Sequence, residues 1–342
     1  MKILRSMFRA ILTGRGKRIL YAMDFGFSIP TRGALATQQA VLAFAQCGEQ
    51  LGFGHLALPD HIIIPRSIAS PYPYNAAGKM IGASDGDCLE QLAVLAYLAA
   101  ATKKIRLLTS VMVVPHRAPV FTAKALATID VLSNGRVDVG IGAGWMDEEF
   151  QAIGAPSFAE RGKVTDEYLR IFKELWTQDS PHYEGQYAKF ENVTFLPKPL
   201  QKPHPPIWVG GESPAALRRV IALGDAWYPI GSNPQFLLNT LDRFTSGVER
   251  LRADAARANR DPRSITITYW APWYKETQTP IIEDGKRQLF TGSDADVAGD
   301  IIAFRELGVQ HLLFNFVRAN LAESLTAMER FVAQVLPLTA SD

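Results

Sequence analysis

Apolar positions recur along the chain with two alternating spacings, near two residues and near 3.6, and after Tyr21 the alternation repeats eight times. Tyr21 to Ile29 reads as a strand. Thr37 to Leu51 follows as a helix, with Ala40, Val41, Phe44 and Leu51 near helical spacing and Gly52 closing it. His55 to Leu58 is the second strand and Cys88 to Ala101 the second helix. Ile105 to Val114 is a nearly continuous apolar run of the kind buried on both faces of a parallel sheet. Pro115 to Pro119 turns it into a helix through Leu126, Ile129 and Leu132, which stops at Ser133-Asn134-Gly135. The strand Arg136 to Ile141 comes next, then an amphipathic helix from Phe158 to Trp176. Further strands are expected at Ile207 to Val209, Ala226 to Pro229, Ile265 to Trp270 and His311 to Phe316. Their helices end at Gly224 and span Pro234 to Asn259, Asp294 to Leu307 and Leu321 to Leu336.

Eight β/α units joined by crossovers of the usual hand predict a closed (β/α)8 barrel, a TIM barrel, as a single domain over 21–342. A doubly wound open sheet is the alternative. Three stretches read as loop insertions. They are 59–86, rich in Pro, Tyr, Gly and Ser, then 179–206, with six of the 21 prolines and a hairpin around Glu184-Gly185, and 271–291. In a barrel the C-terminal strand ends carry function. Those ends are Ser28, Asp60-His61, Ser110-Val111, Gly140 to Trp145, Gly210 to Ser213 and the loops after Tyr228 and Trp270.

Residues 1–20 form a separate feature. Ile3, Leu4, Met7, Phe8, Ile11 and Leu12 fall on one helical face and Lys2, Arg5 and Arg9 on the other, so the segment is either a membrane-surface helix or an extension that docks weakly. It also distorts the charge. The 342 residues carry a formal net charge of +2, but six basic side chains precede Asp24, and the remainder holds 30 basic against 34 acidic groups. That balance excludes a broad nucleic-acid surface. No apolar run is long enough to span a bilayer, and Cys47 and Cys88 lie far apart without a C-x-x-C pattern, which suits a reducing cytoplasm.

The strand-end motifs narrow the chemistry. Gly140, Gly142 and Gly144 follow a strand, yet the third glycine of a dinucleotide fingerprint would fall on Trp145. Asp147, Glu148 and Glu149 would also repel a phosphate there, so this loop should face the flat part of a ligand. Gly210-Gly211-Glu212-Ser213-Pro214 suits either an anion at a helix N-terminus or an ordinary capped helix. Asp60-His61 offers either an acid/base imidazole beside a carboxylate or a structural histidine. The six histidines contain no H-x-H or H-E-x-x-H spacing, so no metal site is expected. No G-x-S-x-G elbow is present, and no strand-end lysine suggests Schiff-base lyase or isomerase chemistry.

Three stretches, 115–154, 201–217 and 224–231, resemble the bacterial luciferase-like superfamily of flavin and deazaflavin enzymes. The resemblance implies a (β/α)8 barrel, commonly a homodimer, that binds coenzyme F420 or FMN at the C-terminal mouth. ALPDHIIIP and YPY, at 57–65 and 72–74, look more like the F420-dependent branch. By the same likeness His61 acts as acid/base or polarising group with Asp60 adjacent, and Ser110-Val111 holds a non-prolyl cis peptide that, with Met112, presses on the ring. Gly142, Gly144 and Glu148 would lie near the ring and ribityl chain, and Gly210, Gly211, Glu212 and Ser213 at the phosphate. Trp145 stands where the superfamily's sugar-phosphate dehydrogenases carry a catalytic Glu, which implies a small, more apolar substrate contacted by Trp145. The expectation is therefore an F420-dependent oxidoreductase, the alternatives being an FMNH2-dependent monooxygenase and a flavin-binding barrel without catalysis.

Overall fold

A computed structural model describes residues 23–80, 86–276 and 279–340. The basic segment 1–20 lies outside the described residues. The chain runs β1 (Asp24–Ser28), α1 (Gln38–Leu51), β2 (His55–Leu58), α2 (Gln91–Ala101), β3 (Arg106–Thr109), β4 (Met112–Val113), α3 (Pro119–Leu132) and β5 (Val137–Gly142). It continues with α4 (Asp147–Ala152), α5 (Arg161–Thr177), β6 (Tyr183–Glu184), β7 (Lys189–Phe190), β8 (Ile207–Gly210), α6 (Pro214–Leu223), β9 (Ala226–Tyr228) and α7 (Leu241–Arg257). The last elements are β10 (Thr266–Ala271), β11 (Ile282–Glu283), β12 (Lys286–Arg287), α8 (Asp294–Leu307), β13 (Val309–Phe314) and α9 (Leu321–Arg330).

The strands close into a parallel barrel. Their order is β3-β2-β1-β13-β10-β9-β8-β5-β4, and β3 pairs again with β5, so β3 and β4 share one position of an eight-position ring. This is the expected (β/α)8 architecture, not the open sheet. The hairpins β6-β7 and β11-β12 sit inside the predicted insertions.

Local chemistry explains where the helices begin and end. Thr37 caps α1 through its hydroxyl on the Ala40 amide, and Gly52 closes that helix at φ 87°. Ser293 and Asp296 form a reciprocal capping box on α8, with Gly308 at φ 90° beyond it. Two expectations fail at such signals. The helix predicted from Pro234 starts at Leu241, because Thr240 caps it and Asn233 has already turned the chain by accepting from the Gln235 amide. The apolar run Ile105 to Val114 is not one strand, because a cis Ser110–Val111 peptide splits it into β3 and β4.

Register sets the barrel interior. Gly26 pairs with His55, Ala57 with Leu108, Gly140 with Trp208, Gly210 with Tyr228, Thr268 with His311, and Asp24 with His311. Strand residues two apart share a face, so Ala57, Leu108, Trp208, Ala226, Tyr228 and Leu313 form an inner plug, with Val111 and Trp270 packed against it. The larger core, including Phe44, Leu95, Leu126, Phe172 and Phe304, lies between strands and helices.

Below the plug, at the N-terminal rim, a polar floor replaces apolar packing. Asp138 accepts two hydrogen bonds of 2.6 Å from Arg106 and lies 3.1 Å from His55 Nε2. Burial works to raise the Asp138 carboxyl, and the bonds from His55 and Arg106 outweigh it and hold it below the ordinary range. Gln201, from the proline-rich insertion, accepts from Arg106 at 2.9 Å and donates to the Val137 carbonyl at 2.6 Å. That insertion therefore packs at the end opposite the mouth.

Candidate active site

The C-terminal mouth is built where β2, β4 and β5 end. His61 stands just past β2, and its Nδ1 lies 2.7 Å from Glu149 Oε2 on α4. Glu149 is 1% exposed. Its Oε1 accepts the Ile62 amide at 2.7 Å and the Ile63 amide at 3.3 Å. A carboxylate that accepts two amides is an acceptor toward the imidazole too, so Nδ1 donates and Nε2 keeps its lone pair. His61 Nε2 makes no hydrogen bond among the described residues. The buried partner of His61 is thus Glu149, 88 positions away, and not the adjacent Asp60.

Asp60 has a different task. Its Oδ2 accepts the Val113 amide at 2.8 Å and Arg117 Nη1 at 2.8 Å, and its Oδ1 accepts Arg117 Nη2 at 2.7 Å. Arg117 also donates to Glu90 at 2.6 Å. Burial alone would lower the Arg117 guanidinium, but Asp60 and Glu90 together raise it above its ordinary value. Asp60 therefore ties the end of β2 to β4 and holds the backbone that carries His61. Its side chain faces structural donors, so it corrects the expected role from proton chemistry to positioning.

The glycines at the mouth have an internal reason. A Cβ on Gly140 would meet the Thr109 carbonyl oxygen at 2.0 Å, and one on Gly142 would meet Val111 Cγ2 at 2.8 Å. A Cβ on Gly210 would lie 3.1 Å from Val111 Cγ1. Val111, which follows the cis Ser110–Val111 peptide, thus sits between β5 and β8, and glycine leaves room for it. Sequence reasoning had assigned that room to a ligand. Ser110 Oγ lies 2.9 Å from Tyr228 Oη, so the same bulge is pinned across the mouth to β9. Met112 is fully buried in the larger core.

Glu148 reaches the long loop after β2. Its Oε1 accepts the Ala69 amide at 2.6 Å and the Ser70 amide at 3.0 Å. Burial pushes this carboxyl up, yet the hydrogen bonds from Ser70 and the nearby amides bring it down to about 2. The loop places Tyr72 edge-on to Trp145, with ring centroids 5.2 Å apart, and Tyr74 beside Tyr72 at 5.4 Å. Trp145, Tyr72 and Tyr74 therefore make one aromatic wall.

At the end of β8, Gly211 has φ 102° and Ser213 Oγ caps α6 by accepting the Ala216 amide at 3.2 Å. The amides of Ser213 and Ala215 have no acceptor among the described residues. Glu212 is turned away from them. Its Oε1 accepts the Ile230 amide at 2.7 Å, and burial, the leading influence, raises its carboxyl. Glu212 thus points away from the α6 N-terminus, and the Ser213 and Ala215 amides are left as those that could hold an anion. Sequence reasoning missed Glu149, Arg117 and Tyr228, because each pairing spans more than fifty residues and no local spacing announces it.

Comparison with known proteins agrees with this geometry. Residues 23–275 match a family model described as luciferase-like monooxygenase. The chain is similar to the FMNH2-dependent dimethylsulfone monooxygenase of Pseudomonas putida, 29% identical over 289 residues, which is 73% of this chain and 78% of that protein. Among solved structures, a monooxygenase from Streptomyces bottropensis shares the fold with a TM-score of 0.71 at 21% identity, covering 93% of this chain and all of that one. A coenzyme F420-dependent tetrahydromethanopterin reductase from Methanopyrus kandleri gives the same TM-score of 0.71 at 16% identity, covering 93% of this chain and 100% of that one.

Proposed function

Because the chain belongs to the luciferase-like monooxygenase family of oxidoreductases, we propose that it is an F420-dependent enzyme that moves hydride between the deazaflavin and a small, apolar carbonyl or alcohol at the barrel mouth. The observation that carries this reading is the His61–Glu149 pair. It leaves one imidazole nitrogen free at the strand ends while the other is fixed to a buried carboxylate.

The residues present fit such a cofactor. The amides of Ser213 and Ala215, which have no acceptor among the described residues, form a donor set at a helix N-terminus suited to a phosphate. Val111, lodged beside Gly142 and Gly210, would set an apolar side chain against the ring. Bound there, F420 would supply two-electron hydride chemistry. His61 Nε2, with its lone pair, would take the proton of the substrate hydroxyl during alcohol oxidation and return it to the oxygen during carbonyl reduction. Glu149 would orient the imidazole, and Asp60 with Arg117 would hold the strand ends in place. The wall of Tyr72, Tyr74 and Trp145 would exclude water and select an apolar substrate.

The FMNH2-dependent relative from Pseudomonas putida favours a second reading, a monooxygenase using the same mouth. Fluorescence titration of the purified full chain with oxidised F420 and with FMN separates the two. Binding of F420 at least about tenfold tighter than FMN is the expected result, a difference of about 1.4 kcal/mol. Tight FMN binding without F420 binding would replace the first reading by the second.

A further inference from the structure

At the barrel floor, across the Trp208 plug from the mouth, Asp24, His55 and His311 converge from β1, β2 and β13. One donor atom from each lies within 4.8 Å of the other two. His311 Nδ1 is 3.7 Å from Asp24 Oδ2, and the two imidazoles stand edge to face with centroids 4.7 Å apart. Register explains the meeting. Asp24 pairs with His311 and Gly26 with His55, so all three side chains point to the barrel interior on adjacent strands.

Among the described residues, two buried ring nitrogens there are unpartnered, His55 Nδ1 and His311 Nδ1. A buried polar atom without a partner is costly, and a pair of them beside a carboxylate calls for a common occupant. His55 is only 1% exposed. Its tautomer follows from its neighbour: Asp138 is an acceptor held by Arg106, so His55 Nε2 donates to it and Nδ1 presents a lone pair. A carboxylate behind a histidine, fixing the ring and leaving the other nitrogen free, is the outer-shell arrangement of metal-bound imidazoles. Asp24 keeps more than half of its side chain exposed, which gives an ion a route in.

We propose that Asp24, His55 and His311 form a binding site for one divalent first-row transition ion, with two imidazole nitrogens and one carboxylate as ligands and an open position for water. Such a donor set suits zinc and its neighbours better than calcium or magnesium. Ligands bound to zinc lie about 3.4 Å apart, so an ion would draw the three groups together from separations of up to 4.8 Å. The ion would join β1, where the barrel begins, to β13, where it closes, and to β2. It would act as a structural clasp remote from the mouth. The sequence shows no metal-ligand spacing, because ligands on neighbouring strands of this barrel are separated by whole β/α units.

The test uses the full chain after dialysis against a chelator, titrated with Zn2+ by calorimetry and with Co2+ by visible absorption. One ion per chain, cobalt d–d bands of a low-symmetry nitrogen and oxygen site, and a higher Tm with Zn2+ are expected. Asp24→Asn and His311→Gln should each weaken zinc binding at least about tenfold and abolish the Tm shift, while coenzyme titration at the mouth stays unchanged. Absence of stoichiometric zinc binding, a cobalt spectrum equal to that of the hexaaqua ion, or unaltered affinity in both variants overturns the proposal. The cobalt measurement on the unsubstituted chain decides the matter even where a variant does not fold.

Discussion

The imidazole of His61 stands at the centre of the residue scale. Its Nδ1 is fixed at 2.7 Å to Glu149, and that carboxylate is committed to the Ile62 and Ile63 amides, so the ring has one orientation and one reactive nitrogen. His61→Ala should lower kcat by about 10²- to 10⁴-fold, the usual worth of a positioned acid/base, with coenzyme Kd nearly unchanged. Glu149→Gln should lower kcat less, by roughly tenfold to a hundredfold, since the amide oxygen can still accept the Ile62 and Ile63 amides but holds the imidazole less firmly. Steady-state kinetics, set beside a coenzyme titration, checks both. An unchanged kcat in Glu149→Gln would reduce that residue to a loop anchor.

Two elements meet the rest of the mouth through backbone. On β5, Gly140 lies against the Thr109 carbonyl of β3 so closely that a methyl group would stand 2.0 Å from the oxygen. Gly140→Ala should therefore cost about 3 kcal/mol, because two paired strands must separate instead of one side chain turning. Chemical denaturation measures that loss directly. On α4, Glu148 holds the Ala69 and Ser70 amides with a carboxyl whose folded value lies near 2, below its ordinary 4.5. A group depressed in this way contributes stability in full above its unfolded value and loses it as pH falls through the folded one. The contact should thus be constant between pH 7 and about 5 and fade between about 4.5 and 2. Hydrogen exchange at Ala69 and Ser70 should show this, and Glu148→Gln should already exchange at least about tenfold faster at pH 7.

At the scale of the whole molecule the barrel has two ends with separate physics, divided by Trp208 and its neighbours. Asp138→Ala should leave Arg106 and His55 without their shared carboxylate and destabilise the fold by about 3–5 kcal/mol, while coenzyme affinity at the mouth stays within about twofold. A thermal melt and a fluorescence titration of the same variant check the two halves of that statement. Much of this architecture was legible along the chain. Hydrophobic period, the glycine stops at Gly52 and Gly308 and the buried-strand runs depend on residues within a few positions of one another, and they determine eight β/α units and the rim on which chemistry sits. The mouth loops were located for the same reason, since strand ends are local. Partners were not. Asp60 looked like the companion of His61 because they are adjacent, whereas β2, β4 and the turn before α3 bring Arg117 to Asp60, and α4 brings Glu149 to His61. Gly140 and Gly142 looked like space for a ligand, whereas the barrel's closure fills that space with Thr109 and Val111. Periodic elements and their order follow from local backbone and burial preferences, which the order of amino acids carries on its own. Which charges pair, which glycines are crowded and which histidines meet was decided only when strands distant in the chain came to share one interior.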